Sequence, residues 1–528
     1  MNPVDFQQIA DFLKELGIKY AFGITGSGSS LKLITALEDR MIPFYPVGHE
    51  AAATIMAGAC SRDGKTKAVA IGIKGPGFVN FLPGILSNYY EGRPALSISE
   101  AYSPVAPLCR KHKRLDHRSL SSSIIKGYAT VDGTIESIRL LLQLAESEAP
   151  GPVHLDLCNE SVTNDIKYLQ GQLSVQNGQI NNNTTQELME VITNFQKPVI
   201  ILGSLVTRQL SMVDWVALEV PVFTTAAGKG SIDENTPYSA GIVTGEIKSL
   251  SPEQIILNEA DGIIGIGLRN TELVSVKSYG IPTIIIDVID GDLHEGFDPC
   301  FKIITPDLEE LVSQVNHSLE GKSWGRELVE THWLKVNQEL LQEDWLPSVV
   351  FHLIHQKLSK ESVLVLDTGL FCTVGETLWK ATTPQEFCGS SVGRFMGVSV
   401  PTAIGVAISN PGRKVICAMG DGGIRPYLSE IKLALEEKLP ILFILLSDGL
   451  YGTVALEARK NNLSRRATTI QDPTWWKTIE TIGCDSRLIS NLNELDAALN
   501  LWPVSKGPLF LEMRFDPAKY AAQTFELR

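Results

Sequence analysis

Two aspartates are placed to share chemistry: Asp421, in GDGG, follows the apolar run KVICAM, and Asp448, in SDGLYG, follows PILFILL. Both runs read as buried strands, and PYLSEIKLALEEK between them reads as a helix, so the strands pair in a parallel sheet. Adjacent parallel strands end side by side at the carboxyl edge, where ligands of open α/β sheets bind. Carboxylates brought that close repel each other unless a cation lies between them. A hard divalent ion such as Mg²⁺ takes oxygen ligands and completes its shell with waters and phosphate oxygens. Gly420, Gly422 and Gly423 let the backbone approach a ligand and present N–H groups at the start of the following helix, which favours an anion. Taken singly, GDGG and SDGLYG also read as tight turns after strands; the pair at this spacing is what points to a metal and phosphate site.

The elements that must hold these residues recur three times. KYAFGIT, KAVAIGI, PALSISE and GPVHLDLC read as strands in the first third, separated by helical stretches such as EAAATIMAGACSRD. KPVIILGS, VPVFTTA, DGIIGIG and PTIIIDV follow in the middle, then SVLVLDTG, KVICAMGDGG, PILFILLSDG and GPLFLEM. Short apolar strands alternating with helices predict an α/β chain of three tandem doubly wound parallel-sheet domains, at 1–165, 185–340 and 345–528. Segment 166–184 is Asn/Gln-rich, polar and without period, and reads as a linker.

A chain of 528 residues is too long for one core, in keeping with three domains. Its formal charge of −14 argues against a nucleic-acid or anionic-membrane surface, since both call for clustered positive charge, and the one dense basic stretch, RKHKR at 110–114, is short. MNPVDFQQIADFLKELG lacks the basic start and apolar core of a signal peptide, and no apolar run is long enough to span a membrane. Eight scattered cysteines without CxxC spacing suggest reduced, mostly buried thiols, so a cytoplasmic location is expected.

GDGG followed by SDGLYG resembles the diphosphate and metal motif of thiamine-diphosphate enzymes, whose usual form is GDG followed by Asn-Asn; Ser447 and Asp448 stand at the asparagines, and catabolic acetolactate synthases also carry Asp there. FGITGSGSS, HEAAATIMAG and GPGFVN are similar to the family's FGxPG, HExxAxxxAxG and GPGxxN, and GKGSIDENTP and GRFMGVSVPTAIGVAI are similar to its later segments. The resemblance covers nearly the whole chain. It implies a pyrimidine-binding, a middle and a diphosphate-binding domain, in the order of acetolactate synthase and pyruvate decarboxylase. It also implies thiamine diphosphate and Mg²⁺ as cofactors, with Asp421, Asp448 and the Leu450 carbonyl on the metal and Gly369, Met396, Gly420, Gly422, Gly423 and Tyr451 near the cofactor. Glu50, in GHEAAA, is by this resemblance the glutamate that bonds the aminopyrimidine and so assists proton loss from the thiazolium C2. Alone, it reads first as a carboxylate favoured at a helix N-terminus, and Met396 alone reads as core filler.

In relatives this glutamate and the metal ligands come from different subunits, which implies a homodimer or homotetramer with active sites at the interface. The partners implied are small 2-oxo acids, with no nucleic acid and no membrane. Val454 stands where pyruvate decarboxylase has a glutamate, and His117 is the one candidate for its paired histidines. Carboligation is therefore expected, with aldehyde release by a non-oxidative decarboxylase and a catalytically idle homologue as alternatives. Lys113 and Glu457 replace two glutamines of acetolactate synthases, and both join His117 as catalytic candidates. Lys113, Arg114 and His117 could hold a substrate carboxylate by charge-assisted bonds; for Arg110 and Lys111 a solvated turn is the favoured reading. Lys74, in KGPG, is a further charge beside the expected site. GIVTGE and GLRNTE stand where FAD-binding relatives have GMHGT and RFDDR, so a structural FAD is not expected.

Overall fold

The computed structural model describes residues 5–62, 64–102, 107, 109, 112–130, 135–158, 167–168, 182–211, 213–273, 278–291, 296–342, 345–470, 474–502 and 507–527. Three sheets follow one another along the chain. The first runs Phe44–Pro46, Ile18–Gly23, Lys67–Gly72, Ala95–Ala101, Pro152–Cys158, Gly127–Thr130, Lys167–Tyr168. Its pairs are parallel except the last, where Lys167–Tyr168 lies antiparallel to Gly127–Thr130. That strand falls in the stretch read as a linker. Two residues are too few to leave a periodic signal, yet they satisfy polar groups of an edge strand. Most of the remaining 166–184 lies outside the described residues, and helix Asn182–Asn194 begins at its end.

The middle sheet runs Ser239–Ile242, Val222–Thr224, Pro198–Leu202, Gly262–Ile266, Pro282–Asp287, Asp298–Ile304, and the last runs Phe387–Gly389, Ser362–Leu366, Lys414–Met419, Ile441–Ser447, Leu509–Arg514, Asp485–Ile489. Both are parallel throughout. Central strands such as Pro198–Leu202 and Ile441–Ser447 are buried at every residue, because helices cover both faces. Each sheet has a point where successive connections turn from one side to the other: at Ile18–Gly23 beside Lys67–Gly72, at Pro198–Leu202 beside Gly262–Ile266, and at Ser362–Leu366 beside Lys414–Met419. Loops leave such neighbours in opposite directions and open a crevice at the carboxyl edge.

The first and third sheets share a core. Phe22, Met56 and Phe81 pack in one cluster with Ile404, Phe443 and Phe510. The join is made by helix Glu50–Ser61, EAAATIMAGACS, which is buried along its whole length because it is apolar and small all round. A Cβ on Gly405, in helix Ser399–Ser409, would lie 2.6 Å from the Met56 carbonyl oxygen, and one on Gly84 only 1.9 Å from Thr54 Oγ1. These helices therefore meet backbone to backbone. Arg62 reinforces the join by donating to the carbonyls of Phe387 and Gln385, each at 2.7 Å. Six of the eight cysteines are buried, and no helix among the described residues is long and apolar enough to cross a membrane.

One buried acid makes stability depend on pH. Glu253 Oε1 accepts from the N–H groups of Thr244 (2.6 Å) and Gly245 (3.0 Å), while Oε2 has no partner among the described residues. Burial outweighs those bonds and pushes its carboxyl up to about 7. Between the unfolded value near 4.5 and about 7 the folded chain holds a proton that the unfolded chain releases, so stability falls as pH rises through that window. The total loss is about 3 kcal/mol. Glu253→Gln is expected to melt close to wild type near pH 5 and well above it near pH 8; equal melting temperatures at both would refute the assignment.

Candidate active site

Three carboxylates stand at the ends of three neighbouring strands. Asp367 follows Ser362–Leu366, Asp421 follows Lys414–Met419 and Asp448 follows Ile441–Ser447. Asp421 is 2 % exposed; its Oδ1 accepts from Ser447 Oγ at 2.8 Å and its Oδ2 from the N–H groups of Asp448 (2.9 Å) and Gly449 (3.0 Å). One carboxylate thus fastens the turn that carries the other. Asp448 Oδ1 accepts from Leu450 N–H at 3.0 Å. Burial first, and then the Asp421 charge, raise the Asp448 carboxyl to about 6. The flanking bonds from Tyr451 N–H to Thr468 and from Ile470 N–H to Gly449 leave the Leu450 carbonyl outside that pairing. Two carboxylates and a carbonyl on a turn form an oxygen donor set that fits a hard divalent cation.

The loop after Asp421 differs from expectation. No helix starts at GDGG: residues 421–424 are turns, closed by bonds from Gly423 and Ile424 N–H to the Gly420 carbonyl, and the next α-helix is the short Ile431–Glu436. Gly423 N–H is thereby used within the loop, so a helix-terminal anion site is not what these glycines build. They leave room instead. A Cβ on Gly422 would lie 2.5 Å from Met396 Sδ and 2.8 Å from Tyr451 Cε1, and one on Gly423 would lie 3.0 Å from Asp367 Oδ2. Met396 and Tyr451 accordingly both lie over the GDGG backbone at Gly422, with Met396 42 % exposed. Gly369 and Gly420 both lie against the Phe371 ring.

Sequence reasoning passed over Asp367, whose signal was the DTG ending of SVLVLDTG. It is wholly buried and accepts from Gly397 N–H (2.9 Å), Ser399 Oγ (2.7 Å) and Thr368 N–H (2.7 Å). Burial raises its carboxyl above the usual range. Its bonds pin the segment next to Met396 to the strand end.

Glu50 opens helix Glu50–Ser61 and is 6 % exposed. Asn80 Nδ2 donates to its Oε2 at 3.0 Å, and a Cβ on Gly77 would lie 3.2 Å from its Oε1. None of its bonds reaches the GDGG loop. The preceding Gly48 N–H instead donates to Glu430 at 3.0 Å, joining the first domain to the third.

The remaining candidates divide. Lys113 and Arg114 are exposed and line an open cleft of about 410 Å³ with Gly75, Pro76, Val79, Asn80 and Leu115. Lys113 has φ +59, a left-handed conformation that costs about 1–3 kcal/mol in a non-glycine residue. Arg110 and Lys111 lie outside the described residues. Lys74 is committed to Glu100 at 2.8 Å. Glu457 is exposed on helix Gly452–Lys460, where it accepts from Asn461, and Val454, 59 % exposed, precedes it by one turn on the same face. His117 differs from the expected substrate contact: it is 3 % exposed and its Nδ1 lies 2.7 Å from Asp156 Oδ1. The segments GIVTGE and GLRNTE both line a cavity of about 10 Å³ with Glu376 and Arg394, room for one water.

Comparisons with known proteins follow this geometry. Residues 6–104 match the family described as thiamine pyrophosphate enzyme, N-terminal TPP binding domain; residues 185–304 match its central domain, and residues 367–513 its C-terminal TPP binding domain. The chain is similar to a probable acetolactate synthase large subunit of Methanococcus aeolicus, 25 % identical over 546 aligned positions, covering 95 % of this chain and 90 % of the relative. It is also similar to a catabolic acetolactate synthase of Raoultella terrigena (25 % identical; 86 % and 84 % covered) and to an acetolactate synthase of Bacillus subtilis (23 % identical; 96 % and 92 % covered). With all three domains matched in order over the three sheets, the chain belongs to the thiamine pyrophosphate enzymes and is similar along nearly its whole length to acetolactate synthases.

Proposed function

We propose that this protein is a thiamine-diphosphate- and Mg²⁺-dependent carboligase that joins the acyl part of one 2-oxo acid, after loss of CO₂, to a second carbonyl compound. Bound thiamine diphosphate supplies an acidic thiazolium C2 and a sink for the electrons released with CO₂. Asp421, Asp448 and the Leu450 carbonyl would hold the Mg²⁺, whose charge would favour the diphosphate, with Gly420, Gly422, Gly423 and Gly369 close by. Met396 and Tyr451, both close over Gly422, would shape its seat. Glu50 would bond the aminopyrimidine and exchange a proton with it. By the resemblance to relatives whose glutamate and metal ligands come from different subunits, the site is read as shared between two subunits of a homodimer or homotetramer. Domains at 1–165, 185–340 and 345–528 suit this arrangement.

One observation carries the choice of carboligation. On the exposed face of helix Gly452–Lys460, the turn nearest Asp448 holds Thr453 and the apolar Val454, so no carboxyl stands there to give a proton. The next carboxyl on that face, Glu457, lies about 4.5 Å farther along the axis and is bonded to Asn461. A reactive group formed near the turn is thus left for a carbon electrophile. Lys113 and Arg114, which line the cleft beside Asn80, would bind the carboxylate of an incoming acid by charge-assisted bonds. Incubating the protein, thiamine diphosphate and Mg²⁺ with 2-oxo acids singly and in pairs should yield 2-hydroxy-3-oxo acids or acyloins by mass spectrometry. Aldehyde alone, in amounts equal to CO₂, would overturn this in favour of a non-oxidative decarboxylase.

A further inference from the structure

Among the described residues, the one group of three or more His, Cys, Asp or Glu side chains that could share a metal ion is not at the GDGG loop. It is His117, His154 and Asp156, all buried, with ligand atoms within 4.8 Å of one another. His117 begins a five-residue helix, His117–Ser121, and the other two lie on strand Pro152–Cys158. Asp156 Oδ1 is 2.7 Å from His117 Nδ1, 3.1 Å from His154 Nε2 and 3.1 Å from Ser99 Oγ, and Tyr128 donates to Oδ2.

One further bond decides between an ion and a hydrogen-bond network. His117 Nε2 accepts from Gly75 N–H at 3.2 Å. An accepting Nε2 carries no proton, so the neutral ring holds its proton on Nδ1, where it donates to Asp156. With that proton in place Nδ1 has no lone pair for a metal. Burial works to raise the Asp156 carboxyl, but the bonds from His117 and His154 outweigh it and hold it below the usual carboxylate range, so an anion is there to receive the proton.

Gly75 is the residue through which this network reaches the active site. Its φ of +66 favours glycine, and a Cβ on it would lie 2.6 Å from the Lys113 carbonyl oxygen. It caps helix Pro76–Tyr90, whose first turns hold Gly77, against Glu50 Oε1, and Asn80, which donates to Glu50 Oε2. Phe78, between them, stacks on the His117 ring at 4.0 Å. The imidazole therefore grips the start of the helix twice, once by a hydrogen bond and once by its face.

We propose that His117 is a positioning residue: with its tautomer fixed by Asp156, its Nε2 holds Gly75 N–H and so sets the first turns of helix Pro76–Tyr90 against the Glu50 carboxylate. Its bearing on catalysis rests on the reading of Glu50 given above; the bond to Gly75 does not.

Two measurements separate these parts. In the cofactor-free protein, hydrogen exchange at Gly75, read by mass spectrometry on peptides spanning 74–80, should be at least about tenfold faster in His117→Leu than in wild type. In His117→Gln, whose side-chain oxygen can replace the Nε2 acceptor, it should be no more than about threefold faster. In protein loaded with thiamine diphosphate and Mg²⁺, hydrogen exchange at the cofactor C2 should slow at least about tenfold in His117→Leu, with most of the loss recovered in His117→Gln. The proposal is overturned by wild-type Gly75 exchange in a folded His117→Leu, by a Gln variant no better than Leu, or by one equivalent of zinc in the purified protein. Altered Gly75 exchange with unchanged C2 exchange overturns the link to Glu50. Absence of C2 exchange in wild type overturns the proposed function, leaving the Gly75 measurement to stand or fall by itself.

Discussion

Glu50→Gln is expected to leave a folded protein that binds thiamine diphosphate and to lower turnover by about 10³-fold, within the range that a positioned acid–base group supplies. Glutamine keeps the length of the side chain and an oxygen to accept from Asn80 Nδ2, which donates to Glu50 Oε2 at 3.0 Å. At 6 % exposure, exchanging a carboxylate for an amide removes a buried charge, so stability should hold or rise. What the amide cannot do is give and take a proton with a ring nitrogen bonded to it. Steady-state rates, read beside a thermal melt and a cofactor titration, separate these effects. Turnover within about tenfold of wild type, ~1.4 kcal/mol in barrier, would return Glu50 to the role of a helix N-terminal charge.

Asp421→Asn is expected to weaken Mg²⁺ and thiamine diphosphate together, each by at least about 100-fold, ~2.7 kcal/mol. The Asp421 oxygens organise the turn, taking Ser447 Oγ on one side and the N–H groups of Asp448 and Gly449 on the other. Asparagine can keep its oxygen toward the two N–H groups and turn its NH₂ toward Ser447 Oγ, so the turn survives. The charge does not survive, and a divalent ion held by two carboxylates is left with one. The Asp421 charge also helps to raise the Asp448 carboxyl, so Asp448 should become more acidic in this variant. Calorimetry of the ion and of the cofactor tests the coupling: unchanged affinities would make GDGG a tight turn and no more.

Much of this architecture was legible in order along the chain. Strands show as apolar runs because a parallel strand covered on both faces selects apolar residues at every position. The Ala/Gly run after Glu50 shows as a buried helix because close helix contact excludes larger side chains. The loop after Asp421 was misread because PYLSEIKLALEEK has helical composition, and composition does not register that Met396 and Tyr451 occupy the space beside Gly422. His117 was misread for a related reason: LDHRSL is polar, yet Asp116 accepts from Ser119 N–H and caps a short helix whose first residue is buried against Asp156.

By itself the sequence determined the three α/β units, the carboxylates that end two adjacent strands, and the glutamate that opens a buried helix. All of these follow from spacing within a few tens of residues. Only the tertiary structure decided that Asp367 joins Asp421 and Asp448 on one sheet edge, that Asp367 ties the Met396 segment to a strand end, and that His117 is buried between Asp156 and Gly75. The reason is physical. Strand order within a sheet leaves no trace in local periodicity, and a buried polar side chain must find its partners wherever the fold has brought donors and acceptors, at any distance along the chain.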